Sequence, residues 1–368
     1  MKFNLNTNVD DEREIYITGD FNQWNPKDPH YKLQKTKNGY SITIDDHLLE
    51  ETIQYKFTKG GWENVELDKY GNITPNRKIE KSLKESKDHV EQWRLNWGPF
   101  KKKFFPIIDV VSEEFYIPQL DRYRKVYALL PYNYNESKNH YPVLYLHDAQ
   151  NLFNDSSEFG NWEIDKKLAL LAEYGRGDVI IVAVDHGKES RITEYIFDND
   201  TVAKGSEGKK YIRFITDTLK PYIDQKYRTK KEREFTGIGG SSLGGLISIY
   251  SGFLYPEVYS KLLIFSPSLW VEPNNNFPMV SFKTPFKTKV YLYGGEKEES
   301  DMIKRIHEFE ENLKKWEDQN LFDFEFRTSI NSDGTHNEFY WSQEFPRAIE
   351  WLYYDNTENP VEVSPQQK

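Results

Sequence analysis

Five short, almost uninterrupted apolar runs constrain what the second part of this chain can become: Val126-Tyr127-Ala128-Leu129-Leu130, Val143-Leu144-Tyr145-Leu146, Val179-Ile180-Ile181-Val182-Ala183-Val184, Leu262-Leu263-Ile264-Phe265 and Val290-Tyr291-Leu292-Tyr293. Runs this short, apolar on both sides of the pleat, suit strands that are covered on both faces. Between them apolar residues recur at helical spacing: Ile164, Leu168 and Leu171, then Tyr211, Ile215 and Leu219. The clearest series, Met302, Ile306, Phe309, Leu313 and Trp316, draws one apolar stripe along a charged helix. Strand alternating with helix predicts an α/β domain built on a doubly wound sheet with helices on both faces. In such a sheet the functional side chains sit on loops that leave the C-terminal ends of strands.

One loop stands out. Thr236-Gly237-Ile238-Gly239-Gly240-Ser241-Ser242-Leu243-Gly244-Gly245-Leu246 holds a Gly-x-Ser-x-Gly match centred on Ser242. A serine hydroxyl is a poor nucleophile at neutral pH, so it must stand exposed beside a base and beside backbone donors able to hold an oxyanion. A sharp strand-to-helix turn provides this, with Gly240 and Gly244 where a Cβ would clash and with the N–H of the next residue, Leu243, free to donate. Average glycine and serine usage yields such a pentapeptide in roughly one chain of this length in eight, so the motif counts only with its context. The context is a helical period directly after the serine, Leu246, Ile247, Ile249, Tyr250, Phe253 and Leu254, ending at Pro256.

The loops after the other strands supply partners. After Val143 to Leu146 comes His147-Asp148-Ala149-Gln150-Asn151, where the Ala149 N–H is the preferred second oxyanion donor and Gln150 the next. The same His147 and Asp148 read as metal ligands lack a nearby third. After Val290 to Tyr293 lies a carboxylate-rich loop in which Glu296, Glu298, Glu299 and Asp301 compete to orient a base; Glu299 and Asp301 also suit the start of the following helix. His336, in Asp333-Gly334-Thr335-His336-Asn337-Glu338 after the Phe322 to Phe326 alternation, is the best general base among eight histidines. The order nucleophile, acid, histidine is that of α/β-hydrolase triads.

Residues 1–97 read differently. Glu14 to Asp20, Tyr40 to Ile44 and Ile53 to Thr58 are short alternating runs separated by turns, and no helical period appears before the charged stretch after Arg77. The phrases Gly19-Asp20-Phe21-Asn22-Gln23-Trp24 and Tyr55-Lys56-Phe57-Thr58, with Gly61-Trp62-Glu63 and Pro75-Asn76-Arg77, resemble the immunoglobulin-like modules of starch- and glycogen-binding proteins. That resemblance implies a small all-β sandwich in which exposed Trp24 and Trp62 stack on glucose rings; the alternative packs Trp24 inside the sandwich and leaves the module a spacer. The expected organisation is thus a module at 1–97, a linker at 98–105, an α/β domain at 106–354 and a disordered tail at 355–368.

Composition excludes several classes. A net charge of −10 without a basic stripe argues against nucleic acid, and the lack of cysteine rules out disulfides, a thiolate metal site and a cysteine nucleophile. The abundance of aromatics, with 25 Tyr, 23 Phe and nine Trp, suits large cores and stacking on sugars alike. The residues from Met1 on lack an apolar signal core, and no apolar run reaches membrane-spanning length, so the expectation is a soluble, cytoplasmic protein.

Residues 106 to 353 resemble the esterase-D-like group of α/β-hydrolases, which includes feruloyl, acetylxylan and enterochelin esterases and mycolyltransferases. The matching residues are His147 to Phe153, Arg191 to Tyr195, Pro221-Tyr222-Ile223-Asp224 before Tyr227-Arg228-Thr229, the Ser242 turn, Ser266-Pro267-Ser268-Leu269-Trp270 and Gly334-Thr335-His336-Asn337. The resemblance implies an α/β-hydrolase with Ser242 as nucleophile, His336 as base and Glu298, three residues after Gly295, as acid. Leu243 and Ala149 would then form the oxyanion hole, while Gln150, Trp162, Arg191 and Trp270 line the substrate pocket. The implied partner is an acylated carbohydrate or similar small ester, cleaved without metal or organic cofactor. The alternatives are acyl transfer to a sugar, a siderophore ester as substrate, or a glycan-binding protein with an inert hydrolase domain.

Overall fold

The computed structural model describes residues 1–8, 11–94, 102–153, 157, 160–197, 204–272, 277–282, 286–298, 301–319 and 323–355. Met1–Lys101 and Lys102–Lys368 form separate compact units. Half of the expected linker, nearly all of the expected tail, and Glu299 fall outside the described residues.

The first unit is all-β, with only single 3-10 turns between its strands. Lys2–Thr7 lies between Gly39–Thr43, antiparallel, and Glu85–Val90, parallel, with Gln34–Thr36 at the edge. Thr52–Thr58 pairs with Tyr16–Gly19 and Arg77–Glu80 in a second sheet. Phe3, Leu5, Ile15, Ile17, Ile53, Tyr55, Phe57 and Trp93 fill the core, so the alternating runs point their apolar members inward. The charged 78–93 segment holds two of these strands.

The second unit is an eight-stranded mixed sheet. In chain order its strands are β1 (Ile107–Ile117), β2 (Arg122–Leu130), β3 (Val143–His147), β4 (Ile180–Val184), β5 (Thr236–Ser241), β6 (Lys261–Phe265), β7 (Thr288–Gly295) and β8 (Phe324–Asn331). They lie in the spatial order β1-β2-β4-β3-β5-β6-β7-β8, with β2 reversed and the run from β4 to β8 parallel. Helices α1 (Ile164–Glu173), α2 (Arg191–Tyr195), α3 (Gly208–Arg213), α4 (Lys220–Lys226), α5 (Leu243–Leu254), α6 (Met302–Asp318) and α7 (Glu338–Tyr353) cover it.

Alternate residues of each central strand serve opposite cores, as a doubly covered sheet requires. Val143, Tyr145, Val182, Leu262, Ile264, Val290 and Leu292 pack with residues of α3 to α6, including Tyr211, Ile223, Phe253, Ile306 and Phe309. Leu144, Leu146, Ile181, Leu263, Phe265, Tyr291 and Tyr293 pack with Leu168 and Leu171 of α1 and with Trp341, Phe345 and Ile349 of α7. All five apolar runs are strands of this sheet, and the three helical series fall on helices. The Tyr211, Ile215, Leu219 series has a spacing of four for a reason: Phe214–Leu219 is a π-helical turn joining α3 to α4. Pro221 has no N–H for the carbonyl of residue 217, and a widened turn accommodates that loss. No helix among the described residues is long and apolar enough to cross a membrane.

Candidate active site

Strand β5 ends at Ser241 and α5 begins at Leu243, so Ser242 alone makes the turn, at φ 56° and ψ −124°. A non-glycine residue there carries strain of about 1–3 kcal/mol and persists only when its surroundings hold it. Three backbone hydrogen bonds do: Ser242 N–H donates to Phe265 O at 3.0 Å, and its carbonyl accepts from Leu246 at 3.1 Å and Ser268 at 3.1 Å. Strand and helix close tightly behind the serine, where a Cβ on Gly240 would stand 3.0 Å from the Gly244 carbonyl carbon. The Ser242 Oγ meets Ser268 Oγ at 3.2 Å. The Leu243 N–H is at the first helical position and has no intrahelical acceptor.

The loops that follow β7 and β8 converge because those strands are neighbours, with Gly295 opposite Asn331. Lys297 N–H donates to Gly334 O at 2.9 Å, and a Cβ on Gly295 would lie 2.2 Å from that same oxygen, so only glycine permits the approach. This brings Glu298 Oε2 to 2.8 Å from His336 Nδ1. The Glu298 side chain is 0% exposed, which is tolerable because its other oxygen accepts from Gly295 N–H at 2.8 Å and from Ser266 Oγ at 2.7 Å. Ser266, itself at φ 42°, accepts in turn from the Trp341 indole N–H at 2.9 Å. An acceptor-only carboxylate on Nδ1 fixes the proton of a neutral His336 on that nitrogen and leaves Nε2 a lone pair. The Trp341 ring stands edge-on to the imidazole, with centroids 5.0 Å apart. No hydrogen bond joins Ser242 to His336 among the described residues.

The rival carboxylates go elsewhere. Glu296 is exposed. Asp301 occupies the N-cap position of α6, but its carboxylate pairs with Arg305 rather than capping a helix amide.

After β3, Asp148 turns the chain at φ 59° into the Ala149–Asn151 turn. The Arg191 guanidinium grips Asp148 with two hydrogen bonds of 2.8 Å, and Tyr195 OH adds a third at 3.1 Å. Burial raises the Asp148 pKa, but the Arg191 charge and hydrogen bonds outweigh it and the net shift is downward. His147 is a satisfied core residue: Nδ1 meets Tyr211 OH at 2.9 Å and Nε2 meets Ser248 Oγ at 3.1 Å. Burial lowers its pKa to about 4, so it is neutral, and both ring nitrogens are already engaged.

Three of the expected pocket residues are engaged by protein partners. Gln150 closes both ends of its amide on the His186 backbone, at 3.3 and 3.0 Å, and so braces the turn. Arg191 is committed to Asp148. Trp162 is buried, stacked on Phe265 at 5.3 Å and packed against Trp341, because its indole completes the α1–α7 core. Trp270 is 46% exposed on the turn that follows Ser268. In the first unit Trp24 and Trp62 stand together, centroids 6.4 Å apart and 31° from coplanar, with Trp62 41% exposed. Trp24 is half-buried and is not part of that unit's core.

A sheet with this strand order, and a serine turn between its fifth strand and the next helix, defines an α/β-hydrolase. The chain belongs to the family described as "Putative esterase", whose profile matches residues 117–352, and it is a carboxylic ester hydrolase. It is 24% identical over 246 residues to the uncharacterized protein YbbA of Bacillus subtilis, covering 63% of this chain and 94% of that protein. The BES protein of Bacillus cereus shares the fold, with a TM-score of 0.52 at 21% identity over 67% of this chain and 95% of that one. A segment of 66 residues, 18% of this chain, is 39% identical to 5% of an alpha-amylase from Niallia circulans.

Proposed function

We propose that Ser242, His336 and Glu298 form a triad that cleaves small carboxylic esters through an acyl-enzyme. The observation that carries this reading is the buried Glu298 carboxylate, with three donors and set on His336 Nδ1 at 2.8 Å, on a loop that leaves the C-terminal ends of the parallel strands, as the Ser242 turn does. His336 Nε2 takes the hydroxyl proton as Ser242 attacks the ester carbonyl, and Glu298 stabilises the imidazolium that forms. The N–H groups of Leu243 and Ala149 hold the oxyanion, each worth on the order of 100-fold in turnover. His336 then returns the proton to the departing alkoxide, and water repeats the sequence to release the acid. The approach of Ser242 to His336 that this requires tightens when a carbonyl occupies the site. The protein should hydrolyse p-nitrophenyl acetate and react at Ser242 with a fluorophosphonate, read as an adduct mass on the peptide that contains it. Neither turnover nor labelling would sink the reading.

The ester is proposed to be an acylated carbohydrate. The paired Trp24 and Trp62 offer a tilted aromatic surface of the kind that sugar rings stack on, and the short likeness to an amylase supports it. Migration of the full chain should be retarded in gels containing glycogen, and Trp62→Ala should abolish the retardation. Equal migration of both proteins with and without glycogen counts against a glycan partner.

A further inference from the structure

A second buried carboxylate stands beside the Glu298–His336 pair, and the proposed reaction does not use it. Glu338 opens α7 two residues after His336 and is 7% exposed. Its Oε1 accepts from Asn151 Nδ2 at 3.2 Å, and Asn151 Oδ1 accepts from Ser157 Oγ at 2.8 Å. One side chain thus connects the histidine loop with the turn that carries Ala149, the two walls between which an ester would lie. Gly160 backs its stem, since a Cβ there would sit 3.2 Å from Glu338 Cβ.

The carboxylate is under-used for its burial. Its donors among the described residues are Asn151 Nδ2 and its own backbone N–H, no ion pair among those residues reaches it, and a carboxylate can accept about four hydrogen bonds. Glu298, by contrast, has three donors. Burial pushes the Glu338 pKa up, its own backbone N–H and the charges of His336 and Arg191 act in the opposite direction, and the charge of Asp148 adds to the rise, so all three side chains lie within electrostatic reach. Asp148 and Arg191 cancel each other through their paired hydrogen bonds. Glu338 therefore keeps acceptor capacity beside the histidine loop, which favours a ligand rich in hydrogen-bond donors.

Position decides which half of the ester it meets. His336 returns its proton to the leaving oxygen, so the alcohol departs along the histidine side of the site. We propose that Glu338, with Asn151, is a hydroxyl-reading subsite for the alcohol half of the ester, which selects polyol or sugar leaving groups over plain alkyl ones. This rests on the esterase reading above. A buried acceptor that binds a substrate hydroxyl discriminates strongly, because the analogue without the hydroxyl leaves it unpaired.

The test compares 1-acetylglycerol with propyl acetate, which share the acyl group and the three-carbon chain and differ in two hydroxyls. The wild type should favour acetylglycerol in kcat/KM by about tenfold or more. In Glu338→Ala the ratio should collapse to about one, with the change mainly in KM for acetylglycerol; Glu338→Gln, which keeps the shape and one acceptor, should retain part of it. A ratio that survives Glu338→Ala, including a parallel fall of both esters, overturns the subsite, as does a wild type with turnover but no preference. A wild type that cleaves neither of these nor p-nitrophenyl acetate defeats the esterase reading instead.

Discussion

Replacing Ser242 with alanine is expected to lower turnover on a small ester by about a million-fold, the scale on which serine triads fail without their nucleophile. The folded state should scarcely notice. The three hydrogen bonds that hold the turn use the backbone of Ser242, and among the described residues its hydroxyl has Ser268 Oγ, at 3.2 Å, as hydrogen-bond partner. Alanine inherits the same φ of 56° and the same strain, so melting should shift little and the loss is chemical. Ser241→Ala is the matched control. Ser241 is the last residue of β5, buried and paired with Phe265 of β6. The comparison is made by kcat on p-nitrophenyl acetate. If Ser241→Ala were the inactive variant and Ser242→Ala the active one, the nucleophile would have been misassigned.

Glu298→Gln should cost about ten-thousand-fold in turnover with little change in stability, because the surroundings dictate which way the amide points. Gly295 N–H and Ser266 Oγ both donate to Oε1, so the glutamine oxygen must take that place. Its NH2 then faces His336 Nδ1, where the carboxylate Oε2 had been. A donor on Nδ1 forces the imidazole proton onto Nε2, and a protonated Nε2 cannot accept the serine proton. Glu296→Gln and Asp301→Asn should be mild, since one side chain is exposed and the other is paired with Arg305. Steady-state kinetics on one ester settles this; a severe loss confined to Glu296→Gln would make Glu296 the acid.

The strands that were easiest to foresee are those buried on both faces, where residues such as Val182 and Ile264 leave no polar alternation to interpret. Edge strand β1 lacked that signal: Glu113 and Glu114 face water, and its residues mix apolar with charged. Helix α7 was missed although Trp341, Phe345, Ile349 and Leu352 fall on one face and Asn337 caps it, accepting from Phe339 N–H and Tyr340 N–H. Pro346 inside the helix and three adjacent aromatics masked the period. The strand-to-helix turn at Ser242 and the loop that carries His336 after a strand were legible because their flanking glycines and strands are local. The partners of Arg191, Gln150 and Trp162 were not, since each is chosen by an approach between distant segments: Arg191 meets Asp148 across 43 positions, and Gln150 meets His186 across 36. Residue type alone cannot tell a tryptophan that lines a pocket from one that fills a core.

The Trp341 indole has a consequence for how the protein comes to be active. Its N–H holds Ser266, and Ser266 holds Glu298, so the proposed relay is tethered to α7, the last helix among the described residues. During synthesis the strands and the serine turn emerge well before residue 341 leaves the ribosome. Until α7 docks, Ser266 lacks the indole that holds it and Tyr291, Phe265 and Trp162 lack a cover. A polypeptide in which α7 has not docked therefore carries the proposed nucleophile without the proposed proton relay, and hydrolysis is expected to begin only once α7 is in place.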